Sequence, residues 1–295
     1  MLDWGRCRLD GEYDTLIFLH IPKTAGTTLR KIIERQYRRT GILEVYDKRV
    51  PDHLELEGTE ILRQVPLREM GLLAGHIVFG WHRFLPGRAV YLTMLRDPVD
   101  RVVSLYYYIR EDPRMPLHSA VRNGSVGLEE YLRRGLDPEA SNGQTYWLSG
   151  GLPATTEDTL QWAKRNLDFF PVVGIQERFD ESLVLFKRAF AWRSVYYSKR
   201  NVVLARPRVK DLPDRMVRLI SERNQLDLEL YDYARKRFES QVQCEGVGFQ
   251  EEVARFKALN RTYGKLVSMA QASSPREMVR DFNSEVRSFV RSRAE

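Results

Sequence analysis

The feature that most constrains the fold is a change of period near the start of the chain. "TLIFLHI", residues 15–21, is a short apolar run suited to a strand buried on both faces. After "PKTAG" the apolar residues recur at helical spacing, placing Leu29, Ile32, Ile33 and Tyr37 on one face of a helix over 27–39. The alternation then repeats. Strands are expected at "ILEVYD" and at "GLLAGH" ending in His76, with a short helix over 59–64 between them. A further strand, "AVYLTML", stops at Arg96-Asp97-Pro98, where the proline suits the first turn of a helix through "VDRVVSLYYYIRE". Strand and helix in turn mark an α/β domain on a parallel sheet.

Residues 112–155 are richer in Gly, Pro, Asn and Ser and read as helical excursions and loops over the sheet. A helix over 156–170, a last strand at "PVVGIQE" and a helix over 181–192 follow. The basic stretch "SVYYSKRNVVLARPRVKDLP" reads as irregular, and helices resume at "DRMVRLISERNQLDLELYDYARKRF" and after Phe249. The expected organisation is an N-terminal extension over 1–14, one domain over 15–245, and a helical tail over 246–295. That tail packs on its own domain or on a partner chain, which in the second case makes a homo-oligomer.

Composition narrows the class without naming a ligand. The 295 residues carry 47 Lys and Arg against 40 Asp and Glu, and the formal net charge of +7 favours a nucleotide, a nucleic acid, a polyanionic sugar or a membrane surface. The two cysteines, Cys7 and Cys244, lie near opposite ends. Neither a disulfide framework nor a cysteine-based zinc site is indicated, and a reducing compartment is expected. "MLDWGRCRLDGEYD" is too polar for a secretory signal, and no apolar run approaches the about eighteen residues that span a bilayer.

The loop after the first strand carries the first candidate site. A helix N-terminus exposes backbone N–H groups and partial positive charge, so such a loop binds phosphate readily. Gly26 would let the backbone approach an anion, Thr24, Thr27 and Thr28 would add hydroxyl donors, and Lys23 adds a full charge; capping of the helix explains only one threonine. The familiar ATP-binding loop has its lysine after the glycines. In "HIPKTAGTT" it comes first. That order resembles the 5′-phosphosulfate loop of sulfotransferases that use 3′-phosphoadenosine 5′-phosphosulfate (PAPS), and the resemblance implies that Lys23, Thr24, Ala25, Gly26, Thr27 and Thr28 hold the phosphosulfate.

The second site is "LRDPVDRVVSLYYYIRE". Arg96 ends a strand, where ligands bind in open α/β sheets, and Ser104 lies two turns into the next helix. Arg101 is expected to pair on the surface, and Tyr106, Tyr107 and Tyr108 to pack in the core or at its rim. The R-D-P-x-x-R-x-x-S pattern resembles the 3′-phosphate segment of the same enzymes, which implies that Arg96 and Ser104 hold that phosphate. "VVGIQERFDESLVLF" and "ERNQLDLELYDYARKRF" resemble the closing strand-helix and C-terminal helix of the branch that includes heparan sulfate 2-O-sulfotransferase. The resemblance runs from Leu16 to Phe238 with a weak middle, and implies a P-loop, nucleotide-kinase-like three-layer fold with helices on both faces of a central parallel sheet.

Sulfuryl transfer to a hydroxyl needs a proton acceptor, and histidine serves near neutral pH. His76 follows a strand and resembles the catalytic histidine of that branch; His82 is the runner-up. His20 reads as a hydrogen-bonded residue inside the first strand, and His53 and His118 as loop residues. Lys199–Lys210 resembles the loop that closes over the nucleotide, which would bring Arg200, Arg206 and Arg208 to phosphate or acceptor. Asn142, Gln144 and Trp147 would line the acceptor cleft. The expected activity is transfer of a sulfuryl group from PAPS to a hydroxyl on a glycan or glycolipid, with Lys23 stabilising the leaving oxygen and no metal or nucleic acid involved. The alternatives are a P-loop kinase and a non-catalytic binder of nucleic acid or polyanion. Animal members of the family are membrane-anchored in the Golgi; with no such anchor visible here, the chain, if full length, is expected to be cytoplasmic.

Overall fold

The computed structural model describes residues 15–46, 66–154, 156–198 and 206–272. The N-terminal extension, the helix expected over 59–64, His53, Arg200 and the tail beyond residue 272 lie outside them. Five strands form one parallel sheet: β1 (Thr15–Leu19), β2 (Gly41–Val45), β3 (Met70–Gly75), β4 (Ala89–Leu95) and β5 (Val173–Ile175), in the order β2-β3-β1-β4-β5. β1, β3 and β5 are buried along their whole length, as continuous apolar runs require of a sheet covered on both sides. Its two buried threonines are satisfied across strands. Thr15 donates to the Met70 carbonyl and Thr93 to the Leu19 carbonyl, each at 2.8 Å.

The chain leaves β1 toward β2 through α1 (Gly26–Tyr37), and leaves β4 in the opposite direction toward β5. Parallel crossovers are right-handed, so these two connections fall on opposite faces, giving the three-layer fold expected from the sequence. The reversal also opens a crevice beyond the carboxyl ends of β1 and β4, where such sheets bind ligands. α1 buries Leu29, Ile32 and Ile33, as its spacing requires.

From β4 the chain enters α2 (Pro98–Glu111), with Pro98 at its first turn and the Asp97 carboxylate accepting the Asp100 N–H at 2.9 Å. The middle of the chain is more ordered than its composition suggests. The helices α3 (His118–Arg122) and α4 (Leu128–Arg133) do not lie over the sheet; Val121, Tyr131 and Leu132 pack with Val102, Tyr106 and Ile109 of α2 in a second apolar cluster. α5 (Gly143–Ser149) returns to the main core through Trp147 and Leu148.

α6 (Glu157–Leu167) precedes β5, and a turn over Gln176–Arg178 leads into α7 (Phe179–Ala189), two residues earlier than the sequence suggested. The expected long helix is broken at Asn224 into α8 (Asp214–Arg223) and α9 (Gln225–Cys244). α10 (Gly248–Ala272) packs on its own domain: Phe249, Val253 and Phe256 join the main core, and Glu252 accepts from Lys187 at 2.7 Å and Arg188 at 2.9 Å.

Candidate active site

Four strands end in the same way. The residue following each is His20 after β1, Tyr46 after β2, His76 after β3 and Arg96 after β4, so one edge of the sheet presents two imidazoles, a phenol and a guanidinium. His20 is therefore not inside the strand as expected, but at its carboxyl edge beside His76, their ring centroids 4.5 Å apart. Burial, and then the neighbouring charge of His76, holds its pKa well below the ordinary histidine value. Tyr46 completes the group, with its hydroxyl 3.2 Å from His20 Nδ1 and its ring edge-on to His76 at 5.1 Å.

The His76 Nδ1 atom lies 2.8 Å from the His20 carbonyl oxygen. A carbonyl only accepts, so Nδ1 carries the proton, and in the neutral ring the lone pair sits on Nε2. His82 is arranged the opposite way. The Tyr91 hydroxyl oxygen accepts the N–H groups of Gly80 and His82, both at 3.1 Å, so its own proton is directed to His82 Nδ1 at 2.9 Å. That ring keeps its proton on Nε2 and packs against Phe79 and Phe169. The two histidines therefore differ in which nitrogen holds the lone pair.

The loop after β1 has its unusual backbone beside the glycine rather than at it. Lys23 and Ala25, not Gly26, have positive φ, 69° and 66°. Left-handed backbone costs roughly 1–2 kcal/mol per non-glycine residue, and alternating it along a loop curls successive N–H groups into an anion-binding concavity. Ala25 is the residue before α1, and no side chain caps that helix, so neither Thr27 nor Thr28 is a cap. Thr24 turns inward and donates to the Ile21 carbonyl at 2.9 Å. Gly26 is helical, and its lack of a side chain serves His20: a Cβ there would stand 1.8 Å from His20 Nε2.

Above the loop the cations converge. Arg96 donates through Nη1 to the Lys23 carbonyl at 2.8 Å and through Nε to Asp100 at 2.9 Å, with Nη2 also on Asp100. Arg206 reaches the same carboxylate at 2.6 and 3.2 Å. Burial pulls the Asp100 pKa up, but Arg206 and Arg96 outweigh it and hold the carboxyl below its ordinary value. The Lys23 ammonium stands 3.7 Å from the centre of the Tyr108 ring, and burial, then the charges of Arg96 and Arg206, lower it to about 8. Asp100, Ser104 and Tyr108 fall at i, i+4 and i+8 of α2, one stripe facing this cluster. Tyr108 is thus a support for Lys23 rather than simple packing.

Arg101 corrects the expectation of a surface pair. It is fully buried, donating to the Pro22 carbonyl at 3.1 Å and the Glu139 carbonyl at 2.8 Å, with its Nη2 on the Glu139 carboxylate. Its place in the stripe with Leu105 and Ile109 was the signal that it points inward. Gln144 is also fully buried and holds the Arg96 backbone instead of lining a cleft; Trp147 is buried beside His76, ring centroids 6.2 Å apart. Arg208 is exposed beside Asp211, away from the cluster. A cavity of about 410 Å³ runs along α1 from Thr27 and Thr28 to Arg38, lined also by Lys31, Glu34, Tyr197 and Tyr263 among others.

A loop with left-handed backbone at the switch point of a parallel sheet, with three cations over it, has the chemistry of a phosphate site in an α/β fold. A model of the sulfotransferase family matches residues 7–146, and a galactose-3-O-sulfotransferase model matches residues 156–281. The chain is similar to carbohydrate sulfotransferases. It is 30% identical to human galactose-3-O-sulfotransferase 3 over 83% of its own length and 61% of that protein. Human galactosylceramide sulfotransferase is 27% identical, with 81% and 60% covered, and mouse uronyl 2-sulfotransferase 28% identical, with 62% and 51% covered. The chain thus spans less than two thirds of these relatives, and the matched segments reach beyond Leu16–Phe238 at both ends. Among the described residues no helix is long and apolar enough to cross a membrane. The cytoplasmic expectation does not stand, because these relatives are animal glycan and glycolipid sulfotransferases, the branch that the resemblance puts in the Golgi.

In a helix, Gly→Ala ordinarily stabilises by up to about 1 kcal/mol. Here Gly26→Ala should instead destabilise by about 1–3 kcal/mol in urea denaturation, as overpacking does. His20→Ala in the same chain should remove most of that penalty; a stabilised Gly26→Ala protein would mean that the ring does not rest on this position.

Proposed function

We propose that this protein transfers a sulfuryl group from PAPS to a sugar hydroxyl, with galactose in a glycan or glycolipid as the acceptor. The observation that carries the reading is the convergence of Lys23, Arg96 and Arg206 on a left-handed loop, next to a histidine whose lone pair lies on Nε2. The fit to PAPS rests on charge and backbone. Arg96 and Arg206 share the half-buried Asp100 carboxylate, and Lys23 and the uncapped amides of α1 add further positive charge beside them. The adjoining cavity has the size of a site for a small ligand, such as the nucleoside end. The names of the relatives, two for galactose acceptors and one for a uronyl acceptor, support a sugar hydroxyl.

When bound, PAPS supplies the electrophilic sulfur and the bisphosphate leaving group. In this reading the amides of residues 23–28, with the Thr27 and Thr28 hydroxyls, hold the phosphosulfate end. Arg96 has five N–H groups, three of them donated within the protein, which leaves two for the 3′-phosphate. Ser104 and Arg206 assist there. His76 takes the acceptor proton on Nε2 while Nδ1–H keeps its bond to the His20 carbonyl. The Lys23 ammonium offsets charge on the leaving oxygen.

Labelled PAPS offered with β-galactoside glycans, galactosylceramide and uronic-acid polymers should label the galactose-bearing acceptors. Transfer only to the uronic-acid polymer would overturn the galactose assignment, and transfer to none would overturn the activity. The His76→Ala protein should turn over roughly a hundredfold more slowly, with calorimetric binding of adenosine 3′,5′-bisphosphate nearly unchanged; undiminished turnover would remove His76 as the base.

The lowered Lys23 pKa sets a pH dependence. Anion binding favours the charged ammonium, which is present below about pH 8 and lost above it, where binding must take up a proton. Bisphosphate affinity should therefore fall as pH rises from 7 to 9, with a limiting slope of about tenfold per unit. Lys23→Ala should bind more weakly and show little slope, whereas the wild-type slope persisting in that variant would assign the titration to another group.

A further inference from the structure

Arg96 sits one residue beyond the end of β4, where the sheet no longer supplies partners. Its N–H donates to Gln144 Oε1 at 2.9 Å, and Gln144 Nε2 donates to its carbonyl oxygen at 2.9 Å. One carboxamide thus engages both backbone groups of one residue, as a neighbouring strand peptide would. The complementarity fixes the orientation of the amide, oxygen toward N–H and nitrogen toward C=O.

Gln144 is held in turn from α9, some eighty residues on. The buried Asp227 carboxylate accepts the N–H groups of Gln144 at 3.0 Å and Thr145 at 2.7 Å, and the Thr145 hydroxyl at 2.8 Å. Asn224 accepts the Asn142 N–H at 2.9 Å and donates to the Ala140 carbonyl at 3.0 Å, while the Asp227 N–H returns to the Asn142 side chain at 3.2 Å. Gln144, Asn224 and Asp227 are all fully buried. None of the bonds described for them reaches the loop after β1 directly; Gln144 connects to it through Arg96, which donates to the Lys23 carbonyl, and Asn224 holds Ala140, next to the Glu139 that receives Arg101.

We infer that Gln144, locked by Asn224 and Asp227, is the positioning residue that aims the Arg96 guanidinium at the 3′-phosphate. The inference rests on the proposed role of Arg96. The site extends the sheet by one residue with a side chain in place of a strand. Arg96 can then stay extended for ligand while Asp97 and Pro98 turn the chain into α2. A helix-capping role for Asp227 alone would explain the bonds to residues 144 and 145, but not why the Gln144 side chain is spent on both sides of the Arg96 peptide.

The test is calorimetric binding of adenosine 3′,5′-bisphosphate and of AMP, read as a ratio, since loss of folded protein lowers both equally. Gln144→Met keeps the volume and removes the bonds; Gln144→Glu keeps the acceptor but sets an oxygen against the Arg96 carbonyl. Each should lose roughly tenfold in bisphosphate affinity, the worth of about one good hydrogen bond, with AMP changed by less than about threefold. Asp227→Asn, which touches no Arg96 atom, should move the ratio the same way by a smaller factor. An unchanged ratio in the folded residue-144 variants overturns the positioning role and leaves Arg96 intact. A wild-type protein with no preference for the bisphosphate overturns the role of Arg96 and this inference with it. Should neither residue-144 variant fold, the ratio in Asp227→Asn decides in the same way.

Discussion

One carboxylate makes the crowded corner of this sheet tolerable. Lys23, Arg96 and Arg206 meet over a single loop, and unit charges a few ångströms apart repel by several kcal/mol at the effective dielectric of about 20 found near protein surfaces. Asp100 accepts from both arginines, and because it lies four residues after Arg96 on the helix that the strand feeds, the pairing is built into the turn itself. Asp100 is hydrogen-bonded to both arginines, while Lys23 feels the more distant carboxylate of Asp112. Burial, and then the charges of Arg96 and Arg206, lower the Lys23 ammonium.

The loop beneath is held from three sides. Arg96 takes the Lys23 carbonyl, Arg101 takes the Pro22 carbonyl from inside the protein, and Thr24 takes the Ile21 carbonyl. These bonds fix consecutive peptide groups, which is what keeps two non-glycine residues in left-handed backbone. The amides are then oriented before any ligand arrives, so little ordering cost falls on binding. Gly26 contributes to the same corner indirectly, by leaving room for the His20 ring whose carbonyl orients His76. The phosphate loop and the candidate base are thus parts of one packing arrangement.

Much of this was legible in the residues. Apolar runs gave all five strands and the alternation gave the parallel sheet, because burial on both faces leaves a continuous signature. The lysine-first loop and "RDPVDR" marked two segments that the fold brings together through Arg96 and Lys23, and the chain is similar to carbohydrate sulfotransferases. Other roles were misassigned for identifiable reasons. Arg101 looked like a surface cation because its type outweighed its place in a buried stripe. Gln144 looked like a cleft residue because its partner lies forty-eight positions earlier. Gly26 reads as room for an anion, and the structure shows that its missing side chain also makes room for the His20 ring.

What the sequence by itself determined is local: the period of each element, the stop at Pro98, the charges gathered beside two strand ends, and the side chain that follows each strand. These depend on neighbours within a few residues, whose spacing is set by helix and strand geometry. What only the tertiary structure decided is which of those groups meet and in what state. The strand order brings His20 against His76 and leaves His82 bound to Tyr91, and it sets which imidazole nitrogen holds the lone pair. The fold of α9 onto α5 carries Asp227 to Gln144, and through it to Arg96. A hydrogen bond is decided by a few tenths of an ångström and by direction, and for residues tens of positions apart only the packed chain sets either.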